Sequence, residues 1–293
     1  MTAVFANKVV LVTGASGGIG RAVALAFAKE GARLVLAARS ADRLAQVERE
    51  VRSVGGEALS APTDVTSPEA VTALVKAATD RFGRIDVLVN NAGIGKVGGV
   101  EEESFADDVR DTLQASLFGM VDVTQRVLPL MRRQRTGAIV NMSSVMGRKA
   151  FARFGSYAIV MHAVSAFSDS LRQEVAGSGI RVSVIHPGLT ATELLREAKE
   201  DEMPPPFRHM TPLSPDDVGR AVVAAVRHGK RRVVLPRMAG ALLLGEALSP
   251  RIGDLIAAAL AKRPIARALG MSDGRTYHEV LRRQAGTTGT TAG

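Results

Sequence analysis

The 293-residue chain has no cysteine and no tryptophan, and only 2 of its residues are tyrosine. Without cysteine the chain has no disulfide framework, no thiolate metal ligand and no thiol nucleophile. No uncharged apolar run reaches the roughly 18 residues that a membrane-spanning helix needs. The N-terminus lacks the basic and apolar regions of a secretion signal, and the 5 histidines are too scattered for a metal site. These absences predict a cytoplasmic protein without a bound metal.

Positive charge is concentrated near the C-terminus. The net charge is +9, and residues 227–293 contribute +8 of it, with 12 Lys and Arg against 4 Asp and Glu. Residues 1–226 are nearly neutral, so the chain lacks the broad basic surface of a nucleic-acid-binding protein. We expect any acidic partner to meet the C-terminal segment.

Short apolar runs alternate with longer amphipathic stretches. The apolar runs are rich in Val, Ile and Leu, which is typical of strands buried on both faces. The predicted strands are residues 9–13, 33–38, 57–61, 85–90, 137–142, 181–185 and 232–235. The predicted helices are residues 19–29, 41–54, 68–82, 103–133, 156–176 and 215–228. This alternation predicts an α/β fold with a doubly wound parallel sheet.

A glycine-rich turn follows the first predicted strand and opens the first predicted helix. Gly14 permits the tight turn, Gly18 lets the backbone approach a pyrophosphate, and Gly20 lets the helix pack on the strand. The helix N-terminus adds free N–H groups and the positive end of a dipole. Strand, turn and helix therefore predict a dinucleotide site.

Arg39 follows the second predicted strand, where the adenosine ribose is expected. NAD sites usually place an acidic residue here for the ribose 2′-OH, whereas an arginine suits the 2′-phosphate of NADP. No carboxylate stands beside Arg39 until Asp42. The sequence therefore favours NADP over NAD, with Ser40 beside Arg39 at the site. The alternative is a surface arginine next to a serine that only caps a helix.

The chain divides into three predicted regions. Residues 1–236 are predicted to form a Rossmann-type domain for dinucleotide binding and catalysis, with a proline-rich loop or lid at residues 199–215. Residues 237–284 are predicted to form a helical C-terminal extension that is broken at two prolines. Residues 285–293 are rich in Gly and Thr and predict a disordered tail.

Five motifs occur in one order along residues 7–235. They are the turn Thr13-Gly14-x-x-x-Gly18-x-Gly20, Asp64-Val65, Asn90-Asn91-Ala92-Gly93, Ser144 with Tyr157, and Pro187-Gly188 with Thr192. In this order they resemble the short-chain dehydrogenase/reductase family. The resemblance implies hydride transfer between a nicotinamide nucleotide and a carbonyl or alcohol carbon, in a homodimer or homotetramer. It implies that Tyr157 exchanges the proton on the substrate oxygen and that Ser144 hydrogen-bonds that oxygen.

The resemblance also implies which residues contact the cofactor. Beyond Arg39 and Ser40 they are Gly14, Ser16, Gly18, Ile19, Gly20, Asp64, Val65, Asn91, Ala92, Gly93, Tyr157, Pro187, Gly188, Thr190 and Thr192.

Two catalytic positions depart from the family's pattern. The family's lysine, four residues after the tyrosine, is Met161 here, and its helix asparagine is Ser116. In the family the lysine holds the nicotinamide ribose and lowers the tyrosine pKa, while the asparagine anchors a water of the proton relay. Methionine carries no charge and donates no hydrogen bond. The departures predict slow or absent alcohol oxidation and weak carbonyl reduction, with Met161 either in the core or along the ribose pocket.

Several cations, either close to Tyr157 in sequence or in the glycine-rich stretch after Ala92-Gly93, are candidates for the missing lysine's place. They are Lys96, Arg148, Lys149, Arg153 and His162. For these side chains, solvated surface charge is the more ordinary interpretation.

The extension combines an apolar helix face with basic flanking residues. This pattern is shared by helices on a membrane surface, helices that cover a substrate cleft and helices at a subunit interface. All three uses therefore stay open, including peripheral membrane contact. The apolar residues of the lid, Met203, Phe207, Met210 and Leu213, suit an apolar small-molecule substrate.

Two classes of function follow from the sequence. One is an NADP-dependent oxidoreductase acting on the carbonyl or alcohol group of an apolar small molecule. The other is an NADP(H)-binding protein with little or no redox turnover, acting as a sensor, a partner subunit or a redox-neutral catalyst.

Overall fold

The computed structural model describes residues 4–193, 203–208, 210–269, 271–272, 274–275, 277 and 279–280. The described residues form seven strands: β1 (Val9–Thr13), β2 (Arg33–Ala38), β3 (Glu57–Pro62), β4 (Val87–Asn90), β5 (Gly137–Met142), β6 (Ile180–Pro187) and β7 (Arg232–Leu235). They form one parallel sheet in the order β3-β2-β1-β4-β5-β6-β7. The predicted doubly wound α/β fold is confirmed.

Helices connect the strands and continue beyond β7. They are α1 (Gly18–Ala28), α2 (Ala41–Ser53), α3 (Pro68–Phe82), α4 (Phe105–Thr112), α5 (Gly119–Gln134), α6 (Gly155–Glu174), α7 (Pro205–Arg208), α8 (Pro215–His228), α9 (Ala239–Leu248), α10 (Pro250–Leu260) and α11 (Arg263–Ala268). Side-chain caps fix where two of them begin: Ser40 Oγ accepts from Arg43 N, and Ser67 Oγ accepts from Ala70 N.

Alternate side chains of each strand enter two separate cores, because successive residues of a strand point to opposite faces of the sheet. Val10 and Val12 of β1 pack with α1, α2 and α8, whereas Val9 and Leu11 pack with α3, α5 and α6. All five residues of β1 are buried. Burial on both faces explains why the strands read as continuous apolar runs.

The long helix predicted at residues 103–133 forms as one continuous helical segment over residues 105–134, but it contains a π-helical turn that the sequence did not predict. The chain forms α4, then a π-helical turn at Leu113–Phe118, then α5. Ser116 lies in this wider turn and accepts a hydrogen bond from Ile94 N at 3.1 Å. The turn therefore holds a side chain against the loop after β4, a contact that the helical periodicity of the sequence does not encode.

Helices α9 and α10 pack closely against each other. A Cβ on Gly245 would lie 2.5 Å from Ile256 Cδ1, so a larger residue here would force the Ile256 side chain to move. Pro250 opens α10 and Pro264 lies in the first turn of α11, so both predicted breaks are helix starts. The division into a domain and an extension stays a prediction, and the predicted tail at residues 285–293 lies outside the described residues.

The inner face of this helical extension packs against the lid. Ala239 and Leu260 share one buried cluster with the lid residues Met203, Phe207 and Met210. Among the residues described above, no helix is both long enough and apolar enough to cross a membrane.

Lys149 joins the loop after β5 to the extension. Its Nζ lies 2.9 Å from Glu246 of α9 and 2.5 Å from Asp254 of α10, and only 9% of its side chain is exposed. Burial lowers the pKa of Lys149, but the hydrogen bonds to the two carboxylates outweigh it and raise the pKa overall. The expectation of a solvated loop charge is therefore wrong for Lys149, because α9 and α10 cover it.

We predict that Lys149→Met lowers the free energy of unfolding by about 1–3 kcal/mol. Removing one partner of a buried ion pair leaves a poorly hydrated charge, and the exposure of Asp254 makes the loss smaller than for a fully buried pair. The control is Lys76→Met, which removes an exposed ion pair to Asp80. Urea unfolding measures both variants, and equal losses would contradict a structural role for Lys149.

Candidate active site

The glycine turn between β1 and α1 has the shape of a phosphate cradle. Gly14 and Gly18 adopt φ of +65° and +50°, which side chains rarely tolerate. A Cβ on Gly20 would lie 2.1 Å from Gly14 O, so glycine is required where the helix meets the turn. No side chain caps α1 and its first turn holds no acidic residue. Its N–H groups are therefore free to bind an anion.

The turn after β4 is hydrogen-bonded to the glycine turn. Thr13 Oγ1 accepts from the N–H groups of Asn91 and Ala92, each at 3.0 Å. The Asn91 amide donates to the carbonyls of Thr13 and Gly14 at 3.2 Å. The Asn91 side chain thus supports the shape of the glycine turn, which the motif alone did not show.

A buried polar network that the sequence did not predict lies behind this turn. Asn90 donates to Thr124 Oγ1 at 3.0 Å and to Asn141 Oδ1 at 2.9 Å, and Asn141 donates to Ser168 Oγ at 2.9 Å. Asn90 and Asn141 face each other on β4 and β5. Two asparagines at the ends of predicted buried strands were the signal that could have revealed it.

The predicted adenosine side of the site lies beyond β2 and β3. Arg39 is exposed, and its positive charge acts on Asp64. Hydrogen bonds from Thr66 N and Thr66 Oγ1, followed by the charge of Arg39, hold the pKa of Asp64 below its usual value. Asp64 is therefore an ionised acceptor near Arg39, while Ser40 Oγ caps α2 as described above.

Ser144 and Tyr157 meet on the far side of the glycine turn. Ser144 caps a 3-10 turn after β5, where its Oγ accepts from Met146 N at 3.1 Å and donates to Pro187 O at 3.3 Å. Tyr157 lies in the first turn of α6, and its hydroxyl is near the Ser144 side chain. Burial raises the pKa of Tyr157 to about 12, although the nearby Ser144 hydroxyl acts in the opposite direction. The phenol is therefore neutral at pH 7.

One pocket brings the predicted site segments together. It has a volume of about 80 Å³ and is mainly apolar. It is bounded by the start of α1, the loops after β5 and β6, α6 and the lid: Ile19, Ser143, Ser144, Val145, Met146, Phe154, Tyr157, Pro187, Gly188, Leu189, Thr190, Thr192, Met203 and Phe207. The hydroxyl pair thus faces a cavity between the glycine turn and the lid. Of the four apolar lid residues, Met203 and Phe207 line it, whereas Met210 and Leu213 do not.

Met161 is a core residue in this structure. Its side chain is 5% exposed and packs in a buried cluster with Met120, Val160 and Val164, which Tyr157 also contacts. Its carbonyl accepts hydrogen bonds from Ser143 Oγ and Ser165 Oγ at 3.0 and 2.9 Å. Met161 is not among the residues that line the pocket.

Ser116 occupies the place of the family's asparagine but is engaged with the protein. Ser116 accepts the hydrogen bond from Ile94 N and also packs against Gly93, where an added Cβ would lie 2.8 Å from Ser116 Oγ. Ser116 therefore joins the π-helical turn to the turn after β4.

None of the five candidate cations lines the pocket that contains Tyr157. Lys149 is held by the extension, Arg153 lies 3.3 Å from Glu102, and Lys96 lies 3.6 Å from Asp108. His162 bonds the Ala158 carbonyl, and neither it nor Arg148 lines the pocket. Within the described residues, no group of three His, Cys, Asp or Glu side chains could hold a metal ion.

His186 supports the backbone of Ser144. The ring is fully buried, and Nδ1 donates to Ser144 O at 2.9 Å. Nε2 has no hydrogen-bond partner among the described residues. Burial lowers the pKa of His186 to about 4, so the ring stays neutral in the folded protein above that pH.

Comparison with known proteins places the chain among oxidoreductases. Residues 8–203 match the model of the short chain dehydrogenase family. An uncharacterized oxidoreductase from Staphylococcus saprophyticus is 36% identical over 225 residues, which are 75% of this chain and 90% of that protein.

Two solved structures share the fold. A short chain dehydrogenase/reductase from Burkholderia phymatum in complex with NAD has a TM-score of 0.77 and 26% identity, over 84% of this chain and 95% of that chain. A 7α-hydroxysteroid dehydrogenase complexed with NADH and 7-oxoglycochenodeoxycholic acid has a TM-score of 0.73 and 26% identity, over 80% and 94%.

We predict that acid destabilises the protein through His186. Because the folded pKa is about 4 and the unfolded value is about 6.5, the unfolded chain binds an extra proton between these values. The stabilisation is present above pH 6.5 and is lost as the pH falls towards 4, by up to about 3 kcal/mol.

Urea unfolding between pH 7.5 and pH 4.5 tests this effect. His186→Gln keeps a donor for the Ser144 carbonyl and should flatten the pH dependence, whereas His162→Gln, at an exposed position, should not. A wild-type slope unchanged by His186→Gln would contradict the assignment.

Proposed function

The chain belongs to the short chain dehydrogenase family of oxidoreductases, and on that premise we propose that it is an NADP-dependent reductase of carbonyl groups in apolar small molecules. The observation that carries the proposal is the shared pocket, in which the Ser144–Tyr157 hydroxyl pair faces the space between the glycine turn and the lid. Every other part of the proposal concerns what these residues do there.

The residues present fit a nicotinamide dinucleotide. The glycine cradle and the uncapped N-terminus of α1 suit the pyrophosphate, and Asp64 is ionised beside the expected adenosine. Arg39 would hold a 2′-phosphate by a charge-assisted hydrogen bond. Thr192 lies against Gly18, where an added Cβ would be 3.2 Å from Thr192 Cγ2, so the segment after β6 closes over the turn. When bound, the nucleotide supplies the hydride.

Tyr157 supplies the proton that reduction needs. Hydride addition to a carbonyl carbon leaves negative charge on its oxygen, and the neutral phenol donates a proton to that oxygen, giving the alcohol and a phenolate. Ser144 orients the Tyr157 hydroxyl and the substrate oxygen. With a pKa of about 12, Tyr157 is a phenolate in only about one molecule in 10⁵ at pH 7. Alcohol oxidation, which needs the phenolate as base, is therefore the weaker direction.

The lining of the pocket supports an apolar substrate. Phe154, Leu189, Met203 and Phe207 face the cavity with few polar groups beside the hydroxyl pair. A structural relative binds a 7-oxo bile acid, which is an apolar ring system carrying a carbonyl group.

We further propose that the protein acts in the cytoplasm as a homodimer or homotetramer. Phe118, 54% exposed, and Ile159, 47% exposed, are large apolar side chains next to α5 and on α6. Their exposure favours a subunit contact there. Sedimentation equilibrium measures the number of subunits directly.

NADPH consumption over a panel of apolar ketones and aldehydes tests the proposed activity. We expect slow turnover, which Tyr157→Phe lowers by about 10²–10⁴-fold because the proton donor is removed. Met161→Lys should raise turnover and shift the pH–rate profile to lower pH, because an ammonium near Tyr157 lowers the phenol pKa. Met120→Lys places the same charge elsewhere in the cluster and is the matched control.

The outcomes separate the two classes of function. Rapid turnover by the unaltered protein would show that the lysine is not needed here. Retained NADPH binding with no turnover, even in Met161→Lys, would favour the second candidate, an NADP(H)-binding protein without redox activity. The apolar surroundings of Met161 and the high pKa of Tyr157 are the observations that favour this second candidate.

We predict that Arg39→Ser weakens NADPH binding by about 10–100-fold and leaves NADH binding nearly unchanged. The range corresponds to one charge-assisted hydrogen bond to the 2′-phosphate. Arg43→Ser, which removes a nearby arginine paired with Glu193, should spare both nucleotides. Calorimetric titration measures the dissociation constants, and equal loss for NADPH and NADH would contradict the role of Arg39.

A further inference from the structure

The outer face of α9–α11 exposes large apolar side chains to solvent. Leu248 is 72% exposed, Leu255 71% and Leu244 63%. The others exposed on these helices and just before or after them are Met238, Ile252, Ile265 and Leu269. The inner face of the same helices fills the cluster with the lid. An apolar surface of this extent indicates a contact with another protein or with a membrane.

Basic residues are interspersed with these apolar side chains. They are Arg237, Arg251, Lys262, Arg263 and Arg267, and all five are exposed. Within the part of the chain that the structure describes, none of them forms an ion pair. Residues 237–269 contain only two carboxylates, Glu246 and Asp254, and both are held by Lys149. The described carboxylates thus leave all five cations uncompensated.

Helix α11 adds a place for a single anionic group. Arg263 and Arg267 stand one helical turn apart and line a shallow, open pocket with Pro264 and Ala268. Two neighbouring guanidinium groups suit the oxygens of a phosphate.

We propose that this surface, the docking face, binds the surface of bilayers that contain anionic phospholipid. Apolar side chains enter the boundary between headgroups and acyl chains, while the cations contact lipid phosphates. A second copy of the chain fits this face less well, because a twofold contact would bring the same uncompensated cations together. The proposal is independent of the redox function, although it would hold the lid near a reservoir of apolar molecules.

Co-sedimentation of the full chain with vesicles tests the docking face. We expect pelleting with vesicles of phosphatidylcholine and phosphatidylglycerol, little pelleting with phosphatidylcholine alone, and weakening by salt. The double variant Arg263→Gln with Arg267→Gln should lower the partition coefficient about 30-fold, at about fivefold per cation. Leu248→Gln with Leu255→Gln should lower it about tenfold, because less apolar surface is buried.

The control is Arg132→Gln with Arg133→Gln, which removes equal charge from the exposed end of α5. This control should pellet like the wild type, and circular dichroism checks that each variant is folded. Equal pelleting with both vesicle types, or by all variants, overturns the proposal. If the Leu variants change only the oligomeric state in sedimentation velocity, the face is a contact between copies and the proposal is also overturned.

Discussion

The hydrogen bonds between Thr13 and the turn of Asn91 and Ala92 are the interaction on which the site depends. They hold together the turns that follow β1 and β4, two neighbouring strands at the centre of the sheet. Because all strands are parallel, their carboxyl ends open on one edge, and the loops after β5 and β6 join the same edge. Ile19 at the start of α1, Ser144 and Tyr157 therefore line one pocket although they are far apart in sequence.

The proposed chemistry of this pocket depends on the neutrality of Tyr157. With the uncharged Met161 beside it in the core, the phenol has a pKa of about 12 because of burial. A neutral phenol suits proton donation to a reduced carbonyl and opposes alcohol oxidation. The neutral imidazole of His186 supports Ser144 from behind, so this part of the site is arranged without a charged residue.

The extension affects both the stability and the surface of the protein. Its inner face covers the lid, and Glu246 and Asp254 neutralise Lys149 in the loop before Tyr157. The same two contacts neutralise both carboxylates of residues 237–269. The ion pairs of the buried Lys149 thus anchor the extension and leave the docking face basic.

The sequence by itself determined the fold class and the order of the site segments, since buried strands, helix caps at Ser40 and Ser67, and the glycine turn are local patterns with local physical causes. It also predicted catalytic roles for Tyr157 and Ser144 and a departure from the family pattern at Met161. Only the tertiary structure decided that Met161 lies in the core, that the helix at residues 103–133 contains a π-helical turn, and that Lys149 is buried. Each of these depends on residues distant in sequence, Met120, Ile94 and Asp254, and no local period or propensity reports which distant groups will meet.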